Sequence, residues 1–403
     1  MKILIVNKFF YPRGGDCVVA MATRRLLQEM GHEVRVFAMN HPDNVDIEDV
    51  SGYATEVSFA GGMKSKIAGA RRIFGKGDIV ESAARVLDDF RPDVVHLHNV
   101  HSYLSPVIGE MAAKRGIRVV WTLHDYKLLC PSYACRRPGG ELCEECFHGG
   151  LRVVHNRCMK GSLVQSVMAD LESRSWNRAR LSRFTSCFIA PSQFMRNKML
   201  EGGYGAHKVI ALHNFIDPEK SASLARGAQN KERDYFCYVG RLSEEKGVET
   251  LLKGVNDSGV RFKVGGDGPL SEELRTKYSD NPNIEFLGQL DADGVVKLLS
   301  GAKASVIPSE CYENNPLSVI ESLCAGTPVI GASIGGIPEL ITEKDGILFH
   351  PGNAEEIGRI LKDFGKRHPF DNEAISRRAL EQFSRDRHYA ELMKIYSGDL
   401  TVK

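Results

Sequence analysis

The sequence lacks a net charge of either sign and lacks any long hydrophobic run. Its 403 residues include 53 basic and 51 acidic side chains, a formal net charge of +2, so no overall field would attract nucleic acid or an anionic membrane. The first apolar run, Ile3–Val6, is too short for the hydrophobic region of a signal peptide. No later stretch approaches the length of a membrane span. We therefore expect a globular, cytoplasmic protein without a nucleic-acid partner, whose basic surface is local.

The dinucleotide-binding fingerprint G-x-G-x-x-G is also missing where it would be expected. Between the first strand candidate and the first helical pattern the chain has only the pair Gly14-Gly15. Two glycines let backbone N–H groups approach an anion at a helix N-terminus, although an ordinary turn is the alternative interpretation. Their spacing does not favour a nicotinamide or flavin site, so a dehydrogenase is disfavoured.

Short apolar runs alternate with helical patterns in each half of the chain, which is typical of parallel sheets with crossover helices. The strand candidates are Ile3–Val6, Glu33–Ala38, Val94–Leu97, Arg118–Leu123 and Cys187–Ala190 in the first half, and Tyr235–Val239, Arg261–Val264, Ile284–Leu287, Ala304–Ile307 and Thr327–Gly331 in the second. The pattern predicts an α/β protein with two Rossmann-like domains.

The connecting stretch that begins at His213 carries no strong periodicity, which is typical of a hinge. We place an N-terminal domain at residues 1–214, with a cysteine-rich insert at about 130–160, and a C-terminal domain at residues 215–383. Residues 384–403 hold a further helical pattern, which could pack on either domain and is expected to return to the first.

In open parallel sheets, ligands bind at the carboxyl ends of the strands, so the loops after strands hold the candidate site residues. In the second half, Arg241 and Lys246 follow a strand and could clamp a diphosphate, unless they are only solvated surface cations. Gly266 and Gly268 follow the next strand and permit close approach of a ligand, or form a simple turn.

Two carboxylates in the second half form an E-x7-E pattern. If a helix begins near Pro316, Glu313 precedes it and Glu321 lies in its second turn, so both could face one cleft. Carboxylates accept hydrogen bonds from paired hydroxyls such as those of sugars and ribose. Two solvent-facing glutamates are the alternative, and the flanking strands make that alternative weaker.

These motifs, taken in order, resemble the retaining glycosyltransferases of family 4, also called glycosyl transferases group 1, over nearly the whole chain. The residues that carry the resemblance are Gly14-Gly15, His124-Asp125, Pro191-Ser192, Asn214, Asp217, Gly240-Arg241, Lys246, Gly266-Asp267-Gly268-Pro269, Glu313, Glu321 and Ala325-Gly326-Thr327-Pro328-Val329. The resemblance implies the GT-B fold, in which two Rossmann-like domains face each other across a cleft.

The resemblance also implies site roles. Arg241 and Lys246 would hold the donor diphosphate, Glu321 the ribose and Glu313 the donor-sugar hydroxyls, while His124 would hydrogen-bond the donor sugar. The implied catalytic set is His124, Glu313, Arg241 and Lys246, and the implied donor-binding set is Gly14, Gly15, Arg241, Lys246, Gly266, Gly268, Glu313, Asn315, Leu317 and Glu321. His96, His98 and His101 could line the acceptor side or be loop packing.

The implied reaction moves a sugar from a UDP- or GDP-sugar to a saccharide or lipid-linked saccharide with retention, in cell-surface polysaccharide synthesis. It requires no catalytic metal, because the two cations can stabilise the departing diphosphate. The alternatives are a non-catalytic nucleotide-sugar-binding protein and another GT-B enzyme such as a sugar-nucleotide epimerase.

Two local features depart from the common pattern. Cys130, Cys143, Cys146 and Cys158 could supply four thiolates to a structural zinc ion, with Cys135 spare, or could be free thiols, whereas disulfides and an iron–sulfur cluster are disfavoured. The position of the segment beside His124 suggests a lid over the acceptor site. A second cluster could form a basic amphipathic face for peripheral contact with the inner membrane surface, unless it is a solvated helix. Its members are Met63, Lys64, Lys66, Ile67, Ala68, Arg71, Arg72, Ile73, Phe74 and Lys76.

Overall fold

A computed structural model describes residues 1–45, 54–57, 62–366 and 370–399. The chain divides into two compact units. Unit 1 comprises Met1–Leu212 together with Tyr389–Lys403, and unit 2 comprises His213–His388.

Unit 1 is built on a parallel six-stranded sheet with the strand order β2-β1-β3-β4-β5-β6. Its strands are β1 (Lys2–Val6), β2 (Glu33–Phe37), β3 (Val94–Leu97), β4 (Arg118–Thr122), β5 (Cys187–Ala190) and β6 (Val209–Ala211). Its helices are α1 (Gly15–Glu29), α2 (Met63–Ile73), α3 (Asp78–Phe90), α4 (Val107–Lys114), α5 (Arg152–His155), α6 (Leu163–Ser175), α7 (Arg178–Phe184) and α8 (Gln193–Glu201). Every residue of β3 and β5 is buried, as expected for parallel strands covered on both faces.

Unit 2 contains a second parallel six-stranded sheet, ordered β12-β11-β10-β7-β8-β9. The strands are β7 (Tyr235–Val239), β8 (Phe262–Gly265), β9 (Ile284–Gly288), β10 (Ala302–Ile307), β11 (Val329–Ala332) and β12 (Gly346–Phe349). The helices are α9 (Pro218–Gly227), α10 (Val248–Ser258), α11 (Ser271–Lys277), α12 (Ala292–Ser300), α13 (Leu317–Cys324), α14 (Ala354–Asp363) and α15 (Asn372–Gln382).

Both sheets are the doubly wound α/β type that the sequence predicts, and all ten predicted strands are present within about two residues of their expected ends. The prediction misses β6 and β12. Each has only three or four residues, and β12 begins at Gly346 and contains an exposed Leu348, so neither stands out from its flanking loops.

A last helix, α16 (Arg385–Ser397), follows the second sheet, and its residues from Tyr389 onward belong to unit 1. Leu392, Ile395 and Tyr396 are buried in the same core cluster as Ile3 and Val94. The chain therefore contributes to the core of unit 1 at both of its ends. Among the described residues, no helix is both long enough and apolar enough to cross a membrane.

The basic patch predicted around α2 is wrong at Arg72. This side chain is fully buried, and its guanidinium donates to both Asp78 carboxylate oxygens at 3.1 and 2.6 Å and to the Tyr103 carbonyl at 3.1 Å. Ile73 is buried as well, whereas Ile67 is exposed. The sequence pattern could not reveal that Arg72 has partners inside the fold. The side chains of Met63, Lys64 and Lys66 lie outside the described residues.

Helix α6 buries a polar face against its own unit. Ser166, Asp170 and Glu172 are each at most 5% exposed. The Glu172 carboxylate receives the Lys127 ammonium at 2.9 Å, and both of its oxygens accept from the Ser102 hydroxyl at 3.0 Å. Lys127 also donates to the Pro131 carbonyl at 2.7 Å, so this buried ion pair is well satisfied.

We predict that Glu172→Ala destabilises unit 1 by about 3 kcal/mol, because it leaves the Lys127 ammonium buried without its counter-charge. The midpoint of thermal unfolding would report the loss. Glu141→Ala is the matched control, since Glu141 forms an exposed ion pair with Arg137 at 3.7 Å and should change the midpoint little. Equal shifts in the two variants would show that burial does not strengthen the Glu172 interaction.

Candidate functional site

The strand order of each sheet reverses at one point, and the carboxyl ends of the strands at such a point form a crevice. In unit 1 this point lies between β1 and β3, and in unit 2 it lies between β7 and β10. The predicted cations follow β7 and the predicted carboxylates follow β10. Unit 2 therefore brings both groups of side chains to one end of its sheet.

Lys246 and Glu313 are in direct contact at this end of the sheet. The Lys246 ammonium donates to Glu313 Oε1 at 2.6 Å, and the Ser309 hydroxyl donates to the same oxygen at 2.6 Å. Burial alone would lower the pKa of Lys246, but the negative charges of Glu313 and its neighbours raise it above its usual value. Lys246 is consequently a fixed cation.

Gly247 places Lys246 against the loop after β10. It adopts a left-handed conformation with φ at +65°, and a Cβ there would lie 2.1 Å from the Pro308 carbonyl oxygen. Only glycine allows this approach of the two loops. Arg241, on the same connection, is exposed, and its carbonyl accepts from the Tyr238 hydroxyl at 2.8 Å.

The two predicted glycines after β8 pack against the loop after β7. A Cβ on Gly266 would lie 1.9 Å from the Gly240 carbonyl oxygen, and one on Gly268 would lie 2.4 Å from that of Leu242. Backbone hydrogen bonds from Leu242 to Asp267 at 2.9 Å and from Leu270 to Leu242 at 3.0 Å join the same loops. These glycines therefore hold the Arg241 loop in place.

Glu321 lies in the second turn of α13, which begins at Leu317, directly after Pro316 as the sequence predicts. Its carboxylate contacts the Lys220 ammonium from α9, and the Glu321 side chain is only 13% exposed. Lys220 was missed, because a lysine in a polar helix carries no signal of a distant carboxylate partner.

Asn315 is engaged with the segment that begins unit 2. Its side-chain oxygen accepts from the Asn214 backbone N–H at 2.8 Å, and its Nδ2 contacts His213 Nδ1 at 3.1 Å. The Asn214 side-chain amide in turn donates to the Asn315 backbone carbonyl at 3.1 Å. Asn315 thus fixes the chain where the sequence predicts the hinge.

In unit 1, Gly14 caps the N-terminus of α1 and Gly15 is its first residue. A Cβ on Gly15 would meet no atom within 4 Å, so the space beside it is open. Asp16, the next residue, accepts from the Asn99 amide at 3.0 Å, which joins the loops after β1 and β3. Sequence analysis did not select Asp16, although it follows the glycine pair.

His124 follows β4, and its Nε2 lies 2.9 Å from His98 Nδ1, with the two rings stacked 5.2 Å apart. Burial lowers the pKa of His124 to about 4; the charge of Asp16 acts in the opposite direction, and that of Lys8 lowers it further. His124 is therefore a neutral imidazole near pH 7, able to donate one hydrogen bond and accept another.

The other two histidines of this group belong to the packing of unit 1. His96 is buried between the Tyr396 hydroxyl at 2.6 Å and the Thr122 hydroxyl at 2.8 Å. The ring of His101 stacks on Trp121 at 5.3 Å. His98, by contrast, contacts the predicted site residue His124.

The cysteine segment forms a closed turn, in which the Cys143 N–H donates to the Cys135 carbonyl at 2.8 Å. The pKa of Cys130 is lowered to about 6, mainly by a hydrogen bond from the Cys135 thiol. The pKa of Cys146 is raised to about 12, first by burial and then by the negative charges of Cys130, Cys158 and Cys143. Across the described residues, no three histidine, cysteine or carboxylate side chains are arranged to hold a metal ion. Zinc stays a prediction here, with free thiols as its alternative.

Two units, each built on a parallel Rossmann-like sheet, are the architecture of the GT-B fold. A family model described as Glycosyltransferase Family 4 matches residues 13–220, and one described as Glycosyl transferases group 1 matches residues 219–381. The first covers more than half of the chain. The protein belongs to glycosyltransferase family 4.

Individual relatives share at most about a third of their residues with this chain over the aligned ranges reported next. The chain is 30% identical over 212 residues to the uncharacterized glycosyltransferase MJ1607 of Methanocaldococcus jannaschii, an alignment that covers 47% of this chain and 54% of the relative, about half of its length. It is 24% identical to the GDP-mannose-dependent alpha-mannosyltransferase of Corynebacterium glutamicum, covering 85% and 75%. The structure of Anabaena Alr3699/HepE in complex with UDP superposes with a TM-score of 0.66 at 17% identity, covering 99% and 100%.

We predict that the His124 ring protonates only near pH 4 and that Asp16→Asn lowers its pKa further, because a favourable negative charge is lost. Because the pKa of His124 is lower in the folded than in the unfolded protein, the free energy of unfolding is unaffected by this ring above pH 6.5 and decreases as the pH falls from 6.5 toward 4. NMR titration of the imidazole resonances, assigned with His124→Asn, measures both values. Protonation above pH 6 would show that burial does not dominate.

Proposed function

We propose that this protein transfers a sugar from a nucleoside-diphosphate sugar, UDP- or GDP-linked, to a saccharide or lipid-linked saccharide, with retention at the anomeric carbon. The observation that carries the proposal is the grouping of Arg241, Lys246, Glu313 and Glu321 at the β7–β10 switch point of a family 4 chain. Support comes from relatives whose names include GDP-mannose dependence and a complex with UDP.

Two of the proposed donor contacts replace interactions that already exist in unit 2. The diphosphate oxygens would compete with Glu313 for the Lys246 ammonium, and the ribose hydroxyls would compete with Lys220 for the Glu321 carboxylate. The diphosphate takes the place of Glu313 as the counter-charge of Lys246, and hydroxyls donate to the released carboxylates, so neither carboxylate is left without a hydrogen-bond partner. Glu313, once released from Lys246, can accept hydrogen bonds from hydroxyls of the donor sugar.

In the proposed reaction, the bond between the anomeric carbon and the diphosphate oxygen breaks, and the acceptor oxygen bonds to the same face of that carbon. The acceptor's proton passes to the departing phosphate oxygen. Arg241 and Lys246 stabilise the charge that develops on the diphosphate, which is why no catalytic metal is invoked. Neutral His124 contributes a hydrogen bond to the donor sugar.

The acceptor and the cell-surface polysaccharide role are part of the same proposal. A lipid-linked acceptor would require the cytoplasmic enzyme to work at the inner membrane face. A structural zinc held by Cys130, Cys143, Cys146 and Cys158 is a separate proposal, and measuring total metal in the purified protein tests it.

We predict that Arg241→Ala and Lys246→Met each weaken nucleotide binding by about tenfold or more, because each removes a charge-assisted contact to the diphosphate. Isothermal titration with UDP, GDP and ADP measures the affinities and identifies the base. Arg359→Ala, at a side chain 73% exposed on α14, is the matched control and should bind like the parent.

If none of the three nucleotides binds, the proposal that unit 2 holds the donor site is wrong. If one binds, NMR of the anomeric proton in the product distinguishes the remaining possibilities. Retained configuration on an acceptor supports the transferase, an altered sugar on the nucleotide without an acceptor indicates an epimerase, and binding without any turnover indicates a non-catalytic protein.

A further inference from the structure

Helix α6 exposes an apolar face. Leu163, Val164, Val167 and Leu171 have exposed fractions of 49%, 72%, 37% and 41%. At 100° per residue, these four positions fall within an arc of about 100° on the helix surface. They form one continuous stripe, not four scattered residues.

The buried positions of the same helix are Ser166, Ala169, Asp170 and Glu172, so three of these four are polar. This is the reverse of an ordinary surface helix, which turns its apolar residues inward. Packing within the unit therefore does not account for the apolar residues of α6. Contiguous exposed apolar surface of this kind marks an interaction site.

A further exposed apolar side chain lies on the neighbouring segment. Leu151, 59% exposed, directly precedes α5, and α5 packs against α6. We call Leu151, Leu163, Val164, Val167 and Leu171 the α5–α6 stripe.

The exposed charges between residues 147 and 180 are all of one sign, and exposed Glu145, which accepts from the Asn156 amide at 3.3 Å, is paired with Arg137 at 2.8 Å. Between residues 147 and 180, all of which the structure describes, the exposed charged side chains are Arg152, Arg157, Lys160, Arg174 and Arg178. The carboxylates in that range, Asp170 and Glu172, are both buried and ion-paired, with Arg174 at 2.6 Å and Lys127 at 2.9 Å. The stripe is therefore bordered by cations without exposed carboxylates in its own segment.

We propose that the α5–α6 stripe docks on an anionic lipid surface. Apolar side chains that enter the acyl boundary, bordered by arginine and lysine at headgroup level, are the chemistry of an interfacial helix. A second copy of the chain is a poorer occupant, because a two-fold symmetric contact would bring the same cations toward each other. The inference rests on the proposed function, in which a membrane supplies the acceptor. It assigns the membrane contact to the α5–α6 stripe and not to α2, where the sequence pattern predicts it.

Co-sedimentation with lipid vesicles tests this proposal without any turnover. The full chain should bind vesicles that contain about one-third phosphatidylglycerol in phosphatidylcholine and should bind pure phosphatidylcholine far less. Val164→Gln with Leu171→Gln should weaken binding to the anionic vesicles by about tenfold or more, since two apolar side chains that would enter the lipid are lost. Arg157→Gln with Lys160→Gln should weaken it by about fivefold per charge.

Ile67→Gln is the matched control, because Ile67 is 54% exposed but lies on α2. It should bind vesicles like the parent, and nucleotide titration of the Val164/Leu171 variant should be unchanged, which separates this proposal from the donor site. The proposal is overturned if the parent does not bind anionic vesicles, if the Val164/Leu171 variant binds like the parent, or if Ile67→Gln loses equal affinity. It is also overturned if sedimentation velocity shows that the stripe joins two copies of the chain.

Discussion

The constraint on which the candidate site of unit 2 depends is the close approach of three loops at the carboxyl ends of β7, β8 and β10. Gly266 and Gly268 let the β8 loop lie against the backbone of residues 240 and 242, and Gly247 lets the turn after β7 touch Pro308. Side chains at these three positions would separate the loops. The cations of one loop could then not reach the carboxylates of another, so the electrostatics of the site follow from backbone contacts between glycines and carbonyls.

Within that frame, each site carboxylate is held by a lysine, Glu313 by Lys246 and Glu321 by Lys220. The two glutamates are mostly buried, and an ionised carboxylate at such a place is costly without a partner. The lysines satisfy this requirement in the absence of a ligand. They also keep the side chains in single positions, which lowers the entropy that a ligand must remove on binding.

Much of this arrangement could be predicted from the sequence, because parallel strands and helix starts have local signals. The β10 strand, the start of α13 and the E-x7-E pair can all be predicted from one stretch of residues. Contacts between residues that are distant in the sequence cannot be predicted in this way. Nothing near Lys220 indicates Glu321, nothing near Arg72 indicates burial, and Gly266 suggests space for a ligand when a neighbouring carbonyl fills that space.

Helix α6 is the clearest case in which a distant partner, invisible in the local sequence, decides which face of a helix is buried. Read alone, its pattern would put Leu163, Val167 and Leu171 into the core and leave Asp170 and Glu172 in water. The fold does the opposite because Lys127, fixed beside Asp125 and Pro131, needs a carboxylate inside unit 1. Desolvating Glu172 is offset by that ion pair and by Ser102, whereas the leucines and valines of the stripe stay exposed. A helix oriented by its buried charge must present its apolar side outward, and an apolar surface with a cationic border is stabilised by contact with an anionic lipid surface.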